Sequence, residues 1–359
     1  MDSQQNLFSN LNPFPPITHI RDVTEEAYKH VKGRADGTIV SAKTKFKLLN
    51  SKLMGGLELN TITTISAMSG AGKSTLAKEL RHSISEHNPN LKFKQIAFNF
   101  EMMAIAQVNR EIVSKSRIKM QDLYSVDRSL DDDTIREIKM YYEDLKKSDI
   151  YLVEVAVTPE ILCAMLYDFW ERECKPGGYT MIYEVDNLML LDGPKEKEKI
   201  DKANYGLVKL KKQIESEGGS SIGILLNQMN RNIEAVERVN TPEIHKPMAS
   251  DLMAASSTNF CSDYIIFVHI PAKLGLKSYT NKRFPTKLIY PNNEIVDMAY
   301  LELVKNRSGE PNLTFALHNR MKYFSFDEMS VKEKRSIHGE DVSFDQVKGV
   351  KAPLIKLDK

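Results

Sequence analysis

Small residues followed by a lysine and a serine, between positions 67 and 75, have the types and spacing needed to hold a phosphate chain. Gly70 and Gly72 precede Lys73 and Ser74. Glycine lacks a Cβ, so the backbone can approach an anion and adopt positive φ. A lysine there reaches the β- and γ-phosphates, and a serine hydroxyl binds Mg²⁺. The pattern is that of a P-loop, G-x-x-x-x-G-K-[ST], with Ala67 in place of the first glycine.

The P-loop predicts a site for a nucleoside triphosphate with Mg²⁺. The residues expected to contact the nucleotide are Ser69, Gly70, Ala71, Gly72, Lys73, Ser74 and Thr75. A β-branched segment before this loop and a helical pattern after it favour this interpretation over a chance match in a small-residue loop.

Carboxylates that follow predicted strands are candidates for the metal and for the attacking water. Asp186 follows the strand 180–185, and we expect it to bind Mg²⁺ together with Ser74. Glu184 lies two residues earlier and could compete for Mg²⁺, but a carboxylate inside a strand more often pairs with a nearby cation. Glu101 follows the strand 95–100 and would polarise water, although a helix N-terminal carboxylate is an equally good interpretation.

Three further polar residues stand at strand ends. Gln228 would sense the γ-phosphate, or it is simply a polar strand terminus. Lys305 and Arg307 would form an arginine finger, acting on their own site or on that of a neighbouring subunit. A solvated basic turn is the alternative interpretation for the two cations.

Alternating strand and helix signals predict how these residues are positioned. The predicted strands are 61–66, 92–100, 150–156, 179–185, 221–228, 263–270, 299–305 and 312–318, and the predicted helices are 103–115, 131–147 and 197–217. Helix-linked strands followed by a strand-rich end indicate an α/β fold. We expect a largely parallel sheet with antiparallel edge strands and helices on both faces.

The chain has 359 residues and a net charge of +2, so its overall charge does not favour nucleic acid. We predict an N-terminal arm with a linker helix (1–36), an ATPase domain (37–325) and a C-terminal tail (326–359). The helix of the arm is predicted at 21–31, followed by a glycine-containing segment at 32–37. Absent signal and transmembrane patterns predict a cytoplasmic protein that does not contact membranes. Three cysteines without metal spacing suit the same reducing compartment.

Several segments, taken in order, resemble the RecA-like C-terminal ATPase domain of DnaB-type replicative helicases from bacteria and phages. The matching segments are ISAMSGAGKS, FNFEMM, MIYEVDNLMLL, LLNQMNR, SDLMAASSTNFCSDYIIF and LVKNRSGEPNLTFAL. The P-loop is the one specific motif, but six matches in the right order are improbable by chance. The resemblance covers about residues 37–325. It does not include the N-terminal domain of the family.

The resemblance implies a RecA-like P-loop NTPase core and a homo-hexameric ring that hydrolyses ATP between subunits. It implies Glu101 as the water-activating base, Gln228 as the γ-phosphate sensor, and Lys305 and Arg307 acting across the interface. Single-stranded DNA in the central channel, 5′-to-3′ translocation, duplex unwinding in replication, and a primase or helicase loader as partner are implied in the same way. The work would take place in a bacterial cytoplasm or that of a phage-infected host.

Contacts with DNA are the least specified part of this interpretation. Where the family commonly has Arg-Glu-Ser-Gly, this chain has Met253-Ala254-Ala255-Ser256, so one phosphate-binding cation is missing. The remaining candidates for DNA contact are Arg231, Ser256, Ser257, Lys195 and Lys197. Each set of basic residues is also compatible with an ordinary solvated surface.

Two other functions fit parts of the sequence. A RecA-like recombination or strand-exchange ATPase shares the nucleotide-binding core but forms filaments on DNA. A regulatory ATPase that does not bind DNA would explain Met253 and the near-neutral charge.

Overall fold

The computed structural model describes residues 18–127, 130–280, 284–290 and 293–329. The chain divides into two units, residues 1–40 and 41–359. In the first, helix α1 (Ile20–Asp36) begins after His19, whose side chain accepts a hydrogen bond from the Arg21 amide, and ends at Gly37 in the left-handed conformation. The helix therefore includes most of the segment predicted as a linker. The rest of the predicted arm, residues 1–17, lies outside the described residues.

The second unit contains a nine-stranded mixed sheet and two small two-stranded sheets. Its helices are α2 (Lys47–Lys52), α3 (Lys73–His87), α4 (Ala104–Ser116), α5 (Met120–Tyr124), α6 (Asp132–Leu145), α7 (Pro159–Phe169), α8 (Glu196–Ser216), α9 (Val236–Val239) and α10 (Ala255–Cys261). Its strands are β1 (Thr61–Ala67), β2 (Phe93–Asn99), β3 (Ile150–Val153), β4 (Thr180–Asp186), β5 (Ser221–Gln228), β6 (Tyr264–His269), β7 (Ser278–Tyr279), β8 (Phe284–Pro285), β9 (Lys287–Ile289), β10 (Ile295–Asp297), β11 (Ala299–Asn306), β12 (Leu313–Arg320) and β13 (Ser325–Glu328).

The strand order of the large sheet is β13-β12-β11-β6-β1-β5-β4-β2-β3. Strands β1 to β6 are parallel to one another, and β11, β12 and β13 are antiparallel at one end of the sheet. This arrangement confirms the predicted α/β sheet. We call the edge where β1, β2, β4, β5 and β6 end the carboxyl edge, and the opposite edge, where these strands begin, the amino edge.

The central strands are buried along their length because helices cover both faces of the sheet. Every residue of β1 and of β4 is buried. On one face Ile65 packs with Leu76 and Leu80 of α3. On the other face Ile62 belongs to a core that includes Leu162 of α7 and Leu207 of α8. Burial of each such side chain stabilises the fold by about 1.5–3 kcal/mol, so these helices fix the position of the loops between them and the strands.

The final strand joins the core at the position where we expected the domain to end. Phe326 of β13 is fully buried. The buried Glu79 carboxylate on α3 accepts hydrogen bonds from the Ser325 hydroxyl and the Phe326 amide. Residues 325–328 therefore belong to the sheet, while the rest of the predicted tail from residue 330 lies outside the described residues. No described helix is long and apolar enough to cross a bilayer.

Candidate nucleotide site and its separated cations

The P-loop connects the end of β1 to the start of α3 at the carboxyl edge. Gly70 and Gly72 adopt positive φ of 66° and 97°, and Gly72 is the N-cap of α3. The first amides of a helix lack intrahelical acceptors and carry the positive end of its dipole. The loop thus has the backbone geometry of an anion-binding site.

Gly72 also lies against the last strand. A Cβ added there would come within 2.6 Å of the Phe326 ring and 2.9 Å of the Met321 sulfur. We expect Gly72→Ala to lower the free energy of unfolding by about 1–3 kcal/mol, from left-handed strain together with this clash, measured by urea denaturation. Gly218→Ala is the control, because Gly218 has φ of 78° but no atom within 4 Å of an added Cβ. Equal losses in the two variants would contradict the packing argument.

Lys73, Ser74 and Asp186 come together in front of the P-loop. The Ser74 hydroxyl donates to Asp186 Oδ2 at 2.5 Å, and Lys73 Nζ lies 3.1 Å from Asp186 Oδ1. Asp186 is almost fully buried. Mg²⁺ prefers a few protein oxygens completed by substrate phosphates and water, and the hydroxyl and carboxylate fit that requirement. Within the described residues no cluster of three His, Cys, Asp or Glu side chains is placed to hold a metal by itself.

The structure brings Glu101 to the same place. Strand β2 pairs with β4, with Asn99 opposite Asp186. The Asn99 side chain accepts hydrogen bonds from the amides of Glu101 and Met102, which fixes the turn after β2. Glu101 Oε2 lies 3.8 Å from Lys73 Nζ, and the carboxylate is 59% exposed. A solvent-accessible carboxylate beside the phosphate lysine has the placement that a water-activating base requires.

Glu184, the alternative to Asp186 as a ligand of Mg²⁺, is paired with a cation. It is buried, and its carboxylate pairs with Arg81 Nε at 2.8 Å. Burial raises the pKa of Glu184, partly offset by the Arg81 charge. It therefore forms an ion pair with a residue of α3, as its position inside a strand predicted.

Gln228 ends β5 directly opposite Ala67 in the register with β1. Its backbone carbonyl accepts from the Met253 amide at 3.1 Å. Its side-chain amide makes no hydrogen bond to any residue that the structure describes. The amide is therefore available for a ligand at the carboxyl edge.

Arg110 is a further cation near the site, which the sequence reasoning missed. It is partly buried on α4 and lies over the Phe324 ring, 4.7 Å from its centroid. Burial lowers the pKa of Arg110, against the opposing charges of Glu101 and Asp186. With Ser74 and Asn99 it lines a small cavity of about 40 Å³. The available signal was Gln107 and Arg110, three residues apart on the helix after Glu101 and hence on one face.

Lys305 and Arg307 lie at the amino edge, away from the P-loop of the same chain. Arg307 Nε is 3.2 Å from Asp263 Oδ1, and the Asp263 amide donates to the Ile62 carbonyl near the start of β1. The length of β1, about 20 Å at 3.3 Å per residue, separates Ile62 from the P-loop. The structure thus does not support the expectation that these cations act on their own site. Lys305 donates to the Asn259 carbonyl, and burial lowers its pKa.

The candidate DNA contacts divide into exposed and buried residues. Ser256 and Arg231 are exposed. Ser257 is 2% exposed and accepts a hydrogen bond from Asn204, so its hydroxyl holds α10 against α8, an arrangement that does not favour the predicted contact with DNA. Lys195 and Lys197 line a shallow groove of about 580 Å³ at the start of α8, together with Glu160, Glu198, Asp201, Lys202, Tyr205, Gly206 and Lys209.

Comparisons with known proteins identify the family and the fold. A family model described as "DnaB-like helicase C terminal domain" matches residues 41–328. A solved structure of an ATPase domain is 19% identical, with a TM-score of 0.69, over 88% of this chain and 100% of that chain. "The Structure Of A DnaB-Like Replicative Helicase And Its Interactions With Primase" is 19% identical, with a TM-score of 0.68, over 89% of this chain and 69% of that chain. At such identity these two structures establish the fold. No curated protein gives a match.

Proposed function

The chain belongs to the DnaB-like helicase C-terminal domain family and is a helicase-type ATPase, and on that premise we propose that it forms a ring that moves along single-stranded DNA. The observation that carries the proposal is the separation of the two halves of the ATPase machinery. The P-loop, Asp186 and Glu101 lie at the carboxyl edge, and Arg307 lies at the amino edge. A complete site then requires two copies of the chain.

Hydrolysis is assigned to residues from both copies. The backbone of residues 69–75 and Lys73 hold the phosphates of ATP, and Ser74 and Asp186 hold Mg²⁺, which neutralises charge on the β- and γ-phosphates when bound. Glu101 orients and deprotonates the attacking water. Gln228 contacts the γ-phosphate, and Lys305 and Arg307 of the adjacent copy stabilise the charge that develops on the transferring phosphoryl group.

Contacts with DNA follow from the loops after β4 and β5. Lys195 and Arg231 place positive charge after β4 and β5, Lys197 adds a charge in the first turn of α8, and Ser256 adds a hydroxyl in the first turn of α10. Few cations would contact the DNA phosphates in this arrangement, so we expect the affinity for DNA to depend only weakly on salt concentration. One structure of similar fold is described with primase, which supports a primase as a partner of this protein too. A hexamer fits the family.

A forked-duplex assay tests the activity directly. With ATP and Mg²⁺ we expect displacement of the strand from a fork with a free 5′ tail, stimulation of ATP hydrolysis by single-stranded DNA, and no displacement from a fork with only a 3′ tail. Glu101→Gln is the control for ATP dependence. Absence of both displacement and stimulation would reject the helicase assignment and favour a regulatory ATPase.

Negative-stain imaging tests the assembly. We expect six-membered rings with ATP and an oligonucleotide. Helical filaments on DNA would instead favour a recombination ATPase, and monomers under all conditions would contradict any site shared between copies.

A further inference from the structure

Asp263 is a buried carboxylate at the amino edge, between α10 and β6. It is 4% exposed. Its Oδ2 accepts from the Ile62 amide at 2.8 Å and lies 2.9 Å from Lys211 Nζ. Its own amide donates to the Ile62 carbonyl at 2.8 Å. The carboxylate is thus attached to β1 and α8 and has little freedom to move.

Three contacts hold Arg307 against Asp263 and Phe260. Its amide donates to the Asp263 carbonyl at 3.0 Å, Nε lies 3.2 Å from Asp263 Oδ1, and Nη2 donates to the Phe260 carbonyl at 3.1 Å. Its side chain is nevertheless 54% exposed. Nη1 makes no hydrogen bond to any residue within the described ranges. Two guanidinium nitrogens are therefore held by the chain itself, and the third remains available.

We propose that Asp263 is a positioning residue that, with the Phe260 carbonyl, holds Arg307 so that Nη1 presents to the γ-phosphate in the site of an adjacent copy. This inference rests on the proposed function. Lys211 already supplies a cation beside the Asp263 carboxylate, so burial of this charge does not itself require Arg307. An arginine offers a planar fork that can be fixed by two contacts and still donate through a third nitrogen, which a lysine cannot do.

Fixing the guanidinium before ATP arrives has a kinetic consequence. A free arginine side chain must be ordered in the transition state, whereas one held in place contributes without that reorganisation. Loss of the Asp263 contact should therefore reduce turnover more than it affects the binding of ATP in the P-loop of the same copy.

Asp263→Asn tests this, because it keeps the size and one acceptor oxygen but removes the charge that pairs with Arg307. We expect kcat for ATP to fall about 10- to 100-fold, the scale of a small misplacement of a reacting group, with the affinity for a fluorescent ATP analogue within twofold. Lys211→Met is the matched control. It perturbs the same buried carboxylate but leaves the contact with Arg307, so its melting temperature should fall while kcat changes less than threefold.

Mixed assemblies separate positioning from a merely structural role. Subunits with Glu101→Gln retain an intact Arg307, so adding them to Asp263→Asn subunits should restore turnover, whereas the Asp263→Asn/Glu101→Gln double variant should not. Failure of this rescue under conditions that rescue Arg307→Ala would overturn the inference. Full turnover of Asp263→Asn alongside an inactive Arg307→Ala would also overturn it, yet leave the proposed function intact.

A second variant covers the case in which Asp263→Asn does not fold, as judged by circular dichroism. Arg307→Lys keeps the charge but has a single nitrogen, which cannot lie beside Asp263 and the Phe260 carbonyl and also reach the site of an adjacent copy. We expect at least a tenfold loss of kcat. Unchanged turnover would show that orientation of this cation is not needed.

Discussion

Replacing Arg307 with alanine is expected to lower kcat for ATP hydrolysis by about 10³- to 10⁵-fold, the range found when an arginine finger is removed. Nucleotide affinity should change little, since Arg307 lies at the amino edge and the P-loop of its own chain lies at the other end of β1. Steady-state hydrolysis and binding of a fluorescent ATP analogue measure the two quantities. Arg136→Ala removes an arginine that is 74% exposed and paired with Asp133, and should have no effect.

The same variant shows whether the cation acts between copies. Arg307→Ala subunits have an intact P-loop, and Glu101→Gln subunits have an intact finger, so a mixture should contain some complete sites. We expect activity to appear at intermediate mixing ratios although each variant alone is inactive. If no ratio restores hydrolysis in assemblies shown to exchange subunits, Arg307 does not act across an interface.

Lys73→Ala is the second substitution with a large expected effect. Lys73 is 16% exposed and lies within 4 Å of both Asp186 and Glu101, so its charge is central to the site that would surround the γ-phosphate. We expect kcat to fall by about 10²- to 10³-fold or more, as for other removed transition-state donors. Unlike Arg307→Ala, this variant should also bind ATP more weakly.

A phosphate-release assay and a binding titration distinguish these effects. Lys287→Ala is a suitable control, because Lys287 is an exposed lysine on β9 that pairs with Asp297 of β10. If Lys73→Ala retained normal hydrolysis, the assignment of residues 67–74 as the phosphate-binding loop would be wrong.

Much of the fold could be predicted because its central strands are short apolar segments between helices. β5 occupies the predicted residues 221–228, β1 extends one residue beyond its predicted end, and β4 begins and ends one residue later than predicted. The strands β7 to β10 have only two or three residues each, too few for a period to be recognised. β13 has the sequence Ser-Phe-Asp-Glu, which has no clear strand pattern, and its pairing with β12 and its packing against α3 become apparent only in the fold.

The site was predictable to the extent that its residues follow strands. Asp186, Glu101 and Gln228 lie at the carboxyl edge because parallel strands end there, and this follows from local sequence. Which side of a helix faces the site does not follow from local sequence, so neither the burial of Ser257 nor the position of Arg110 beside the site was predicted. Asp263 was missed for a different reason. Its partners Ile62, Lys211 and Arg307 are distant in the chain and meet only after folding.

The contact of Phe326 with Gly72 has a consequence for how the protein is made. The P-loop is synthesised before β13. Phe326 of β13 supplies the ring that packs against Gly72, and its amide donates to Glu79, which lies 247 residues earlier in the chain. A ribosome must therefore translate through residue 326 before the packing around Gly72 of the P-loop is complete. A growing chain that stops short of this point contains the P-loop residues but not the side chain that packs against them.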